Sequence, residues 1–370
     1  MILPGATIGM LGGGQLGRMF TVAAQTSGYR VIVLDPDPHS PAGRIADEHL
    51  QADFADEKAL QRLVQECAAV TTEFENIPAA TLRQLAEQVP VRPAAKAVEI
   101  AQNRIREKNF IHDIDLQTAT FAVISRREEI DSACEAVSFP AILKLAELGY
   151  DGKGQVVVNE PGVVKAAFKT LGELPCVLEE KIDLDKEISV ILARNSKGES
   201  RCFPVAENEH RDGILHKTIV PASINEALST QAQQAAVSLA DAMNYCGVLA
   251  VEFFISQQGE LLVNEMAPRT HNSGHYTLDA CITSQFEQQL RMLCDLPFGD
   301  VQLSSPAVMV NLLGDLWQVK DPAWEKLLDN PKVKLHLYGK HEARPGRKMG
   351  HFCYLSEDAE QAEMLFAALS

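Results

Sequence analysis

The chain has 370 residues, of which 46% are hydrophobic and 23% charged, and it carries a net charge of -16. That length allows two or three domains with a sizeable core, and the composition is that of a soluble globular protein, not a disordered or fibrous one. The acidic balance argues against a nucleic-acid surface and leaves room only for local basic patches.

Ala6–Leu11 is an apolar strand that runs into Gly12-Gly13-Gly14-Gln15-Leu16-Gly17, where glycines 12, 14 and 17 satisfy G-x-G-x-x-G. A helix follows over Gln15–Ser27, then a second strand, Arg30–Leu34, capped by Asp35. This is a βαβ opening with an acid where the ribose of a dinucleotide would be held. Three readings stay open: a nicotinamide dinucleotide, another phosphate ligand, or a structural turn, since any anion at a helix N-terminus needs close backbone approach. Strand and helix alternate to about Pro93. Ala69–Phe74 is a short strand, and Glu73 and Glu75, two apart, share one side at its carboxyl end. Ala94–Ile114 reads as one long amphipathic helix carrying Arg104, Arg106 and Lys108 and joining two domains.

A second unit begins near Leu116. Its strand Pro140–Ala146 has Lys144 in the middle, a side chain that must snorkel or meet an anion. Gly149-Tyr150-Asp151-Gly152-Lys153-Gly154-Gln155 follows, a glycine-rich loop whose backbone N–H groups can wrap phosphate oxygens. It lacks the G-K-[ST] ending of a P-loop, and a plain hairpin loop remains the alternative. The strand Val156–Val158 comes next. Cys176–Ile182 and Glu187–Ala193 are further strands, with Asp183–Lys186 as a polar hinge between them. Beyond lie a strand around Phe203–Val205 and a polar run, Glu207–Gly213, in which His210 is either a satisfied loop residue or a ligand. Helices are expected over Ser229–Asn244 and Thr283–Cys294.

Between those helices lies Gly247–His275. Gly247–Ser256 and Glu260–Met266 read as strands joined by a two-residue turn, Gln258-Gly259. In that register Ile255 faces Leu262, Phe254 faces Val263 and Glu252 faces Glu265. The two carboxylates then share one face with Cβ atoms roughly 5 Å apart. Their repulsion is about 3 kcal/mol at an effective dielectric near 20. A hard divalent cation such as Mg²⁺ would relieve it; a solvated strand face with a longer turn is the plain alternative. Arg269, His271, Asn272 and His275 crowd behind the hairpin, a polar density that is costly to bury without a ligand. Nearer the C-terminus, Lys340, Arg344, Arg347 and Lys348 surround a Pro-Gly turn, as a solvated basic loop or as a clamp for a phosphate monoester. The eight cysteines are scattered without a C-x-x-C pair, which fits reduced thiols in a cytoplasmic protein. No leader pattern and no span of ~20 apolar residues is present, so neither export nor a membrane partner is expected.

A phosphate-wrapping loop, a strand lysine, a hinge and opposed glutamates suit a nucleotide held between two lobes with Mg²⁺ on its phosphates. Gly12–Arg18, Gly149–Gln155, Asn264–His275 and Arg344–His351 together resemble the ATP-grasp superfamily, and within it the N5-carboxyaminoimidazole ribonucleotide synthetases. The resemblance implies an α/β and α+β architecture. A Rossmann-like pre-ATP-grasp domain (1–95) would be followed by a small lid domain (96–183) and a larger C-terminal domain (184–370). It implies a homodimer that carboxylates 5-aminoimidazole ribonucleotide with ATP, Mg²⁺ and bicarbonate. By the same resemblance Arg104, Lys144 and the loop Gly149, Tyr150, Asp151, Gly152, Lys153, Gly154 and Gln155 meet the ATP phosphates. Glu179, Glu180, Lys181 and Ile182 form the adenine hinge, Glu187 meets the ribose, and His210 is a further nucleotide contact. Glu252 and Glu265 hold magnesium beside Asn264. Tyr150, Asp151, Arg269, His271, Asn272 and Lys348 serve bicarbonate and the amine, with Asp151 a candidate base. Gln15, Leu16, Glu73, Lys340, Arg344 and Arg347 meet the ribonucleotide. Two rival readings are another ATP-grasp carboxylate–amine ligase and an NAD-dependent oxidoreductase built on the first βαβ unit.

Overall fold

The computed structural model describes residues 1–147, 154–318 and 320–369. Three sheets follow one another along the chain. In the first, β1 (Thr7–Leu11), β2 (Arg30–Leu34), β3 (Glu48–Leu50) and β4 (Ala69–Thr72) run parallel in the order β3-β2-β1-β4. Their near-continuous apolar runs follow from helices covering both faces: Val31 and Val33 pack to one side, Ile32 and Leu34 to the other. In the second, β5 (Phe121–Ile124), β6 (Ala141–Leu145), β7 (Gln155–Val158) and β8 (Cys176–Glu180) are antiparallel in the order β5-β8-β6-β7.

The third sheet collects β9 (Leu184–Arg194), β10 (Ser200–Cys202), β11 (Ala206–Arg211), β12 (Ile214–Val220), β13 (Gly247–Ser256), β14 (Leu261–Ala267), β15 (Ala307–Leu313), β16 (Val333–Leu337) and β17 (Lys348–Tyr354). Their order is β14-β13-β9-β11-β12-β15-β17-β16, with β10 paired to β9. The helix Glu226–Ala242 lays Ala232, Ala236 and Leu239 on this sheet. The helix Gln285–Leu293 joins it to the first sheet. Its Phe286 and Leu290 enter the first sheet's core while Met292 enters the third's. Gln289 stitches the same seam, accepting from the Val248 N–H at 2.6 Å and donating to Thr71 Oγ1 at 2.9 Å.

Several expected elements differ. The long helix over Ala94–Ile114 is two helices, Ala95–Ala101 and Arg104–Asp113. Asn103 breaks it: its side-chain oxygen accepts from the N–H groups of Ile105 (3.0 Å) and Arg106 (3.1 Å), offering the backbone a cap in place of continued helix. The break puts Arg104 on a first turn that faces the third sheet. Asn103→Ala should cost about 1 kcal/mol of stability; urea unfolding checks this. The polar hinge is shorter than expected, because Leu184–Lys186 already pair with β13. Phe203–Val205 is not a strand, since Pro204 cannot donate to a ladder and splits β10 from β11. His210 lies on β11 and not in a loop. Asp212 and Gly213, with φ of 52° and 77°, make the tight turn that pairs β11 with β12. The strand before Glu73 ends at Thr72, so Glu73 and Glu75 do not share a strand face.

Candidate functional site

Glu252 does face Glu265 across β13 and β14, but not by the expected path. The turn is three residues, Gln257–Gly259: Gly259 adopts φ 81° and the Ser256 N–H donates to the Glu260 carbonyl. That longer turn shifts the lower register by one, so Ile255 faces Leu261 and Phe254 faces Leu262. A β-bulge then inserts Asn264 between Val263 and Glu265 and restores the offset at the glutamates. Bulges bend a strand and re-aim its side chains. Here the bulge presents Glu265 and Asn264 to a cavity of about 870 Å³ that Glu252 also lines.

The cavity lies where the three sheets meet. On the side of the second sheet it takes Lys144 and Gln155, and from the third sheet Glu187 and His210. Arg104 donates to Glu265 at 3.0 Å, and His210 Nδ1 faces the Glu187 carboxylate. Lys144 is held by Glu179 at 3.1 Å, and Lys108 reaches the other oxygen of that carboxylate at 3.2 Å. Glu179 is thus buried behind Lys144, not on the cavity wall. Glu180, Lys181 and Ile182 line a separate cavity of about 1020 Å³ with Thr118, Phe121 and Pro140. Gly154 has φ 72° and its carbonyl accepts from the Leu145 N–H. Gly149, Tyr150, Asp151, Gly152 and Lys153 lie outside the described residues.

The first sheet supplies the opposite end of the cavity, with Gln15, Leu16, Glu73 and Glu75. Arg269 pairs with Glu75 through both carboxylate oxygens, one at 3.2 Å. His271 Nε2 is 3.5 Å from Glu252, and its Nδ1 meets Ser273 Oγ at 2.9 Å. Asn272 exchanges two side-chain hydrogen bonds with Asn311, at 3.0 and 2.8 Å. Lys340, Arg344, Arg347 and Lys348 complete the wall. The loop is shaped by Gly346, whose N–H donates to Asp315 at 2.7 Å, and by Arg347 donating to the Glu342 carbonyl at 2.8 Å.

The glycine loop is already filled by the protein's own carboxylates. Asp35 accepts from the Gly13 N–H at 2.6 Å, and Glu73 accepts from Gly14 and, at 2.7 Å, from Gly17. A Cβ at Gly14 would lie 2.6 Å from Glu73 Oε1. The anion-binding capacity of this helix start is therefore used within the fold. Both Asp35 carboxylate oxygens are engaged within the fold, by the N–H groups of Gly13 and Asp37.

Charge is unevenly shared at the glutamate pair. Burial, then the facing Glu265, pushes Glu252 up to about 7. Burial also acts against ionised Glu265, but Arg104 and Lys144 outweigh it and hold that carboxyl below its usual range. Burial, reinforced by Arg269 and Lys348, keeps the His271 imidazole well below its usual value and so neutral. For His210 burial is overcome by Glu187 and Glu252, which favour the charged ring. The donors here are carboxylate and amide oxygens, the set a hard cation takes. A cation between the two carboxylates would remove the repulsion that raises Glu252, so these residues fit magnesium.

Glu107 and Asn311 carry no mark in the sequence reading, and Glu75 and Lys108 stand out there without an assigned role. One signal was available: Arg104, Glu107, Lys108 and Ile111 fall on one helical stripe, and Ile111 marks it as the buried one. Glu107 accepts from the Met266 N–H at 2.6 Å and so holds β14 beside the bulge. Burial, then Glu265, pushes its carboxyl up to about 8. A raised carboxyl favours folding most below its ordinary value of 4.5, and that advantage is lost as pH rises toward 8. Glu107→Gln should therefore flatten the fall in stability between about pH 4.5 and 8; denaturant melts across that range measure it.

Three family models match the chain: a ribonucleotide synthetase preATP-grasp domain over residues 5–102, an ATP-grasp domain over 109–286, and a phosphoribosylaminoimidazole carboxylase C-terminal domain over 307–364. The N5-carboxyaminoimidazole ribonucleotide synthase of Bacillus subtilis (strain 168) is 42% identical over 361 residues, covering 98% of this chain and 94% of that protein. The N5-carboxyaminoimidazole synthetase of Staphylococcus aureus, solved with ADP, superposes with a TM-score of 0.93 at 38% identity, covering 100% of this chain and 98% of that one. The Aspergillus clavatus synthase, solved with ADP and 5-aminoimidazole ribonucleotide, gives 0.90 at 30% identity, covering 98% and 97%.

Proposed function

Because the chain belongs to the N5-carboxyaminoimidazole ribonucleotide synthetase family of ATP-grasp enzymes, we propose that the cavity holds ATP, bicarbonate and 5-aminoimidazole ribonucleotide together. The enzyme is an ATP-dependent ligase of purine biosynthesis, which carboxylates the ribonucleotide to N5-carboxyaminoimidazole ribonucleotide and releases ADP and phosphate. The observation that carries the site reading is the facing of Glu252 and Glu265 at a bulge, inside a cavity with lysine and arginine at both ends.

In this reading Lys144, kept in place by Glu179, and Arg104, kept in place by Glu265, offset charge on the transferring phosphoryl group. Glu252 and Glu265 hold magnesium with Asn264 at its side, and the ion supplies charge neutralisation at the phosphates. Glu187 and His210 bind the nucleoside side. Glu180, Lys181 and Ile182, from the neighbouring cavity, form the connection against which adenine rests, and the Gly149–Gln155 run meets the phosphates, where water must be kept from the activated carboxyl group. Tyr150 and Asp151 serve bicarbonate and the amine, with Asp151 as the base for the amine. Arg269, fixed by Glu75, and neutral His271 and Asn272 orient bicarbonate. Gln15, Leu16, Glu73, Lys340, Arg344, Arg347 and Lys348 bind the ribonucleotide, the basic group taking its phosphate. The division 1–95, 96–183 and 184–370 separates ribonucleotide recognition, lid and metal site. The assembly is a homodimer of the cytoplasm. Among the described residues no helix is long and apolar enough to cross a membrane.

ATP turnover measured with each substrate omitted in turn tests the proposal. ADP release should require bicarbonate and 5-aminoimidazole ribonucleotide together. Turnover with another carboxylate and amine instead would favour a different ATP-grasp ligase. Lys348→Ala should lower ribonucleotide-dependent turnover by about 10²-fold, the scale of losing one preorganised charge contact, with ATP affinity nearly unchanged. Calorimetric ATP titration beside steady-state kinetics separates the two; an equal loss of ATP affinity would move Lys348 to the nucleotide.

A further inference from the structure

Behind the site, outside the lining of the cavity, β16, β17 and the short helix Thr277–Ala280 bring together a group of side chains that the reaction does not use. We propose that Asp279, His336 and His351 form a binding site for a divalent transition-metal ion of the zinc type. Each of the three offers one ligand atom, and these atoms lie within 4.8 Å of one another. His336 Nε2 is 2.8 Å from Asp279 Oδ2. His351 is completely buried; its Nδ1 meets Tyr338 Oη at 2.8 Å, while its Nε2 is buried with no hydrogen-bond partner.

That orphaned nitrogen points to a ligand. A buried polar atom left unpaired costs about 1–3 kcal/mol, and either tautomer of His351 leaves Nε2 in that position. A metal ion satisfies both nitrogens at once: Nδ1–H donates to Tyr338 Oη, and the Nε2 lone pair goes to the ion. A second-shell hydrogen bond to the far ring nitrogen is the usual companion of a ligating histidine. Asp279 has a second-shell partner as well, the Cys353 thiol, which donates to it. Two imidazoles and one carboxylate, with a position left open, suit zinc and its neighbours far better than magnesium.

The rings of His336 and His351 stack at 4.5 Å with planes 13° apart, so their lone pairs lie in nearly parallel planes and do not converge on one point. One ring must turn to share an ion. His336 is the one placed to do so, because its side chain is 29% exposed at the sheet surface and opens the route from solvent. The other group of three such ligands within 4.8 Å found among the described residues, Glu209, His216 and Glu363, is different. Its carboxylates are already paired with Lys217 and Arg211 at 2.8–3.0 Å, and they carry no such vacancy.

The test is metal titration of the chelator-stripped full-length chain. Zn²⁺ is followed by competition with a chromophoric chelator, and Co²⁺ by its visible d–d absorption. Glu265→Gln serves as the control, because zinc can also be drawn to the glutamate pair. The expected result is one Zn²⁺ per chain, retained in Glu265→Gln and weakened at least about tenfold in His336→Gln and in Asp279→Asn, because loss of a direct ligand costs no less than the ~10–100-fold typical of second-shell changes. If Asp279→Asn, the less exposed of the two, fails to fold, His336→Gln decides alone. No stoichiometric binding, unaltered affinity in His336→Gln, or loss confined to Glu265→Gln would each overturn the proposal.

Discussion

Glu265→Gln should keep the fold and lower the rate of ATP-dependent carboxylation by roughly 10²–10³-fold, the scale of removing one preorganised charge-stabilising group. Two effects act together. The substitution removes one of the two carboxylates in register at the bulge, so the oxygen set for a hard cation loses half its charge. It also takes away the partner of Arg104, which donates to Glu265 at 3.0 Å. The facing Glu252 should then ionise more readily, because part of what raises it is Glu265 itself. Circular dichroism should be unchanged, and the magnesium concentration for half-maximal turnover should rise. An unaltered rate and magnesium requirement would remove the glutamate pair from the mechanism.

The second large effect is on stability. Glu179→Ala should destabilise the protein by about 3–5 kcal/mol, the cost of breaking a buried ion pair from one side. Glu179 is 2% exposed and Lys108 1% exposed, and the same carboxylate also pairs with Lys144. Truncation would leave two largely buried ammonium groups without their shared carboxylate. Burial already lowers the Lys144 amine, and Glu179 is the largest influence opposing it. Adding Lys108→Met to Glu179→Ala should recover part of the loss, because an apolar side chain of similar length needs no partner. Urea unfolding of the single and double variants reads both effects. A loss below about 1 kcal/mol in the single variant would mean that water or rearrangement compensates the lysines.

The sequence led to the correct pairing of Glu252 with Glu265 through two local deviations that cancel. The turn has one residue more than expected, and the bulge at Asn264 takes one back. Turn length can be weighed from Gln258-Gly259, but a bulge depends on what the neighbouring strands and the Arg104–Asp113 helix require. Glu107 shows this: it accepts from the Met266 N–H next to the bulge across 159 positions of chain. The long helix failed for a different reason. Asn103 sits in an otherwise helical pattern, and a side-chain oxygen there can cap a new helix as easily as decorate an old one.

What the chain determines alone is local: the apolar runs that become strands, the glycines where backbone must turn, and the motif residues whose spacing points to nucleotide chemistry. Periodicity and turn preference act over a few residues, and they read out directly. Which charges meet was decided only in three dimensions. Glu73 fills the glycine loop, Glu75 holds Arg269, and Lys108 lies buried beside Glu179 because the three sheets converge there. The free energy of a buried charge depends on its partners, and partners brought together from distant stretches leave no mark on local pattern.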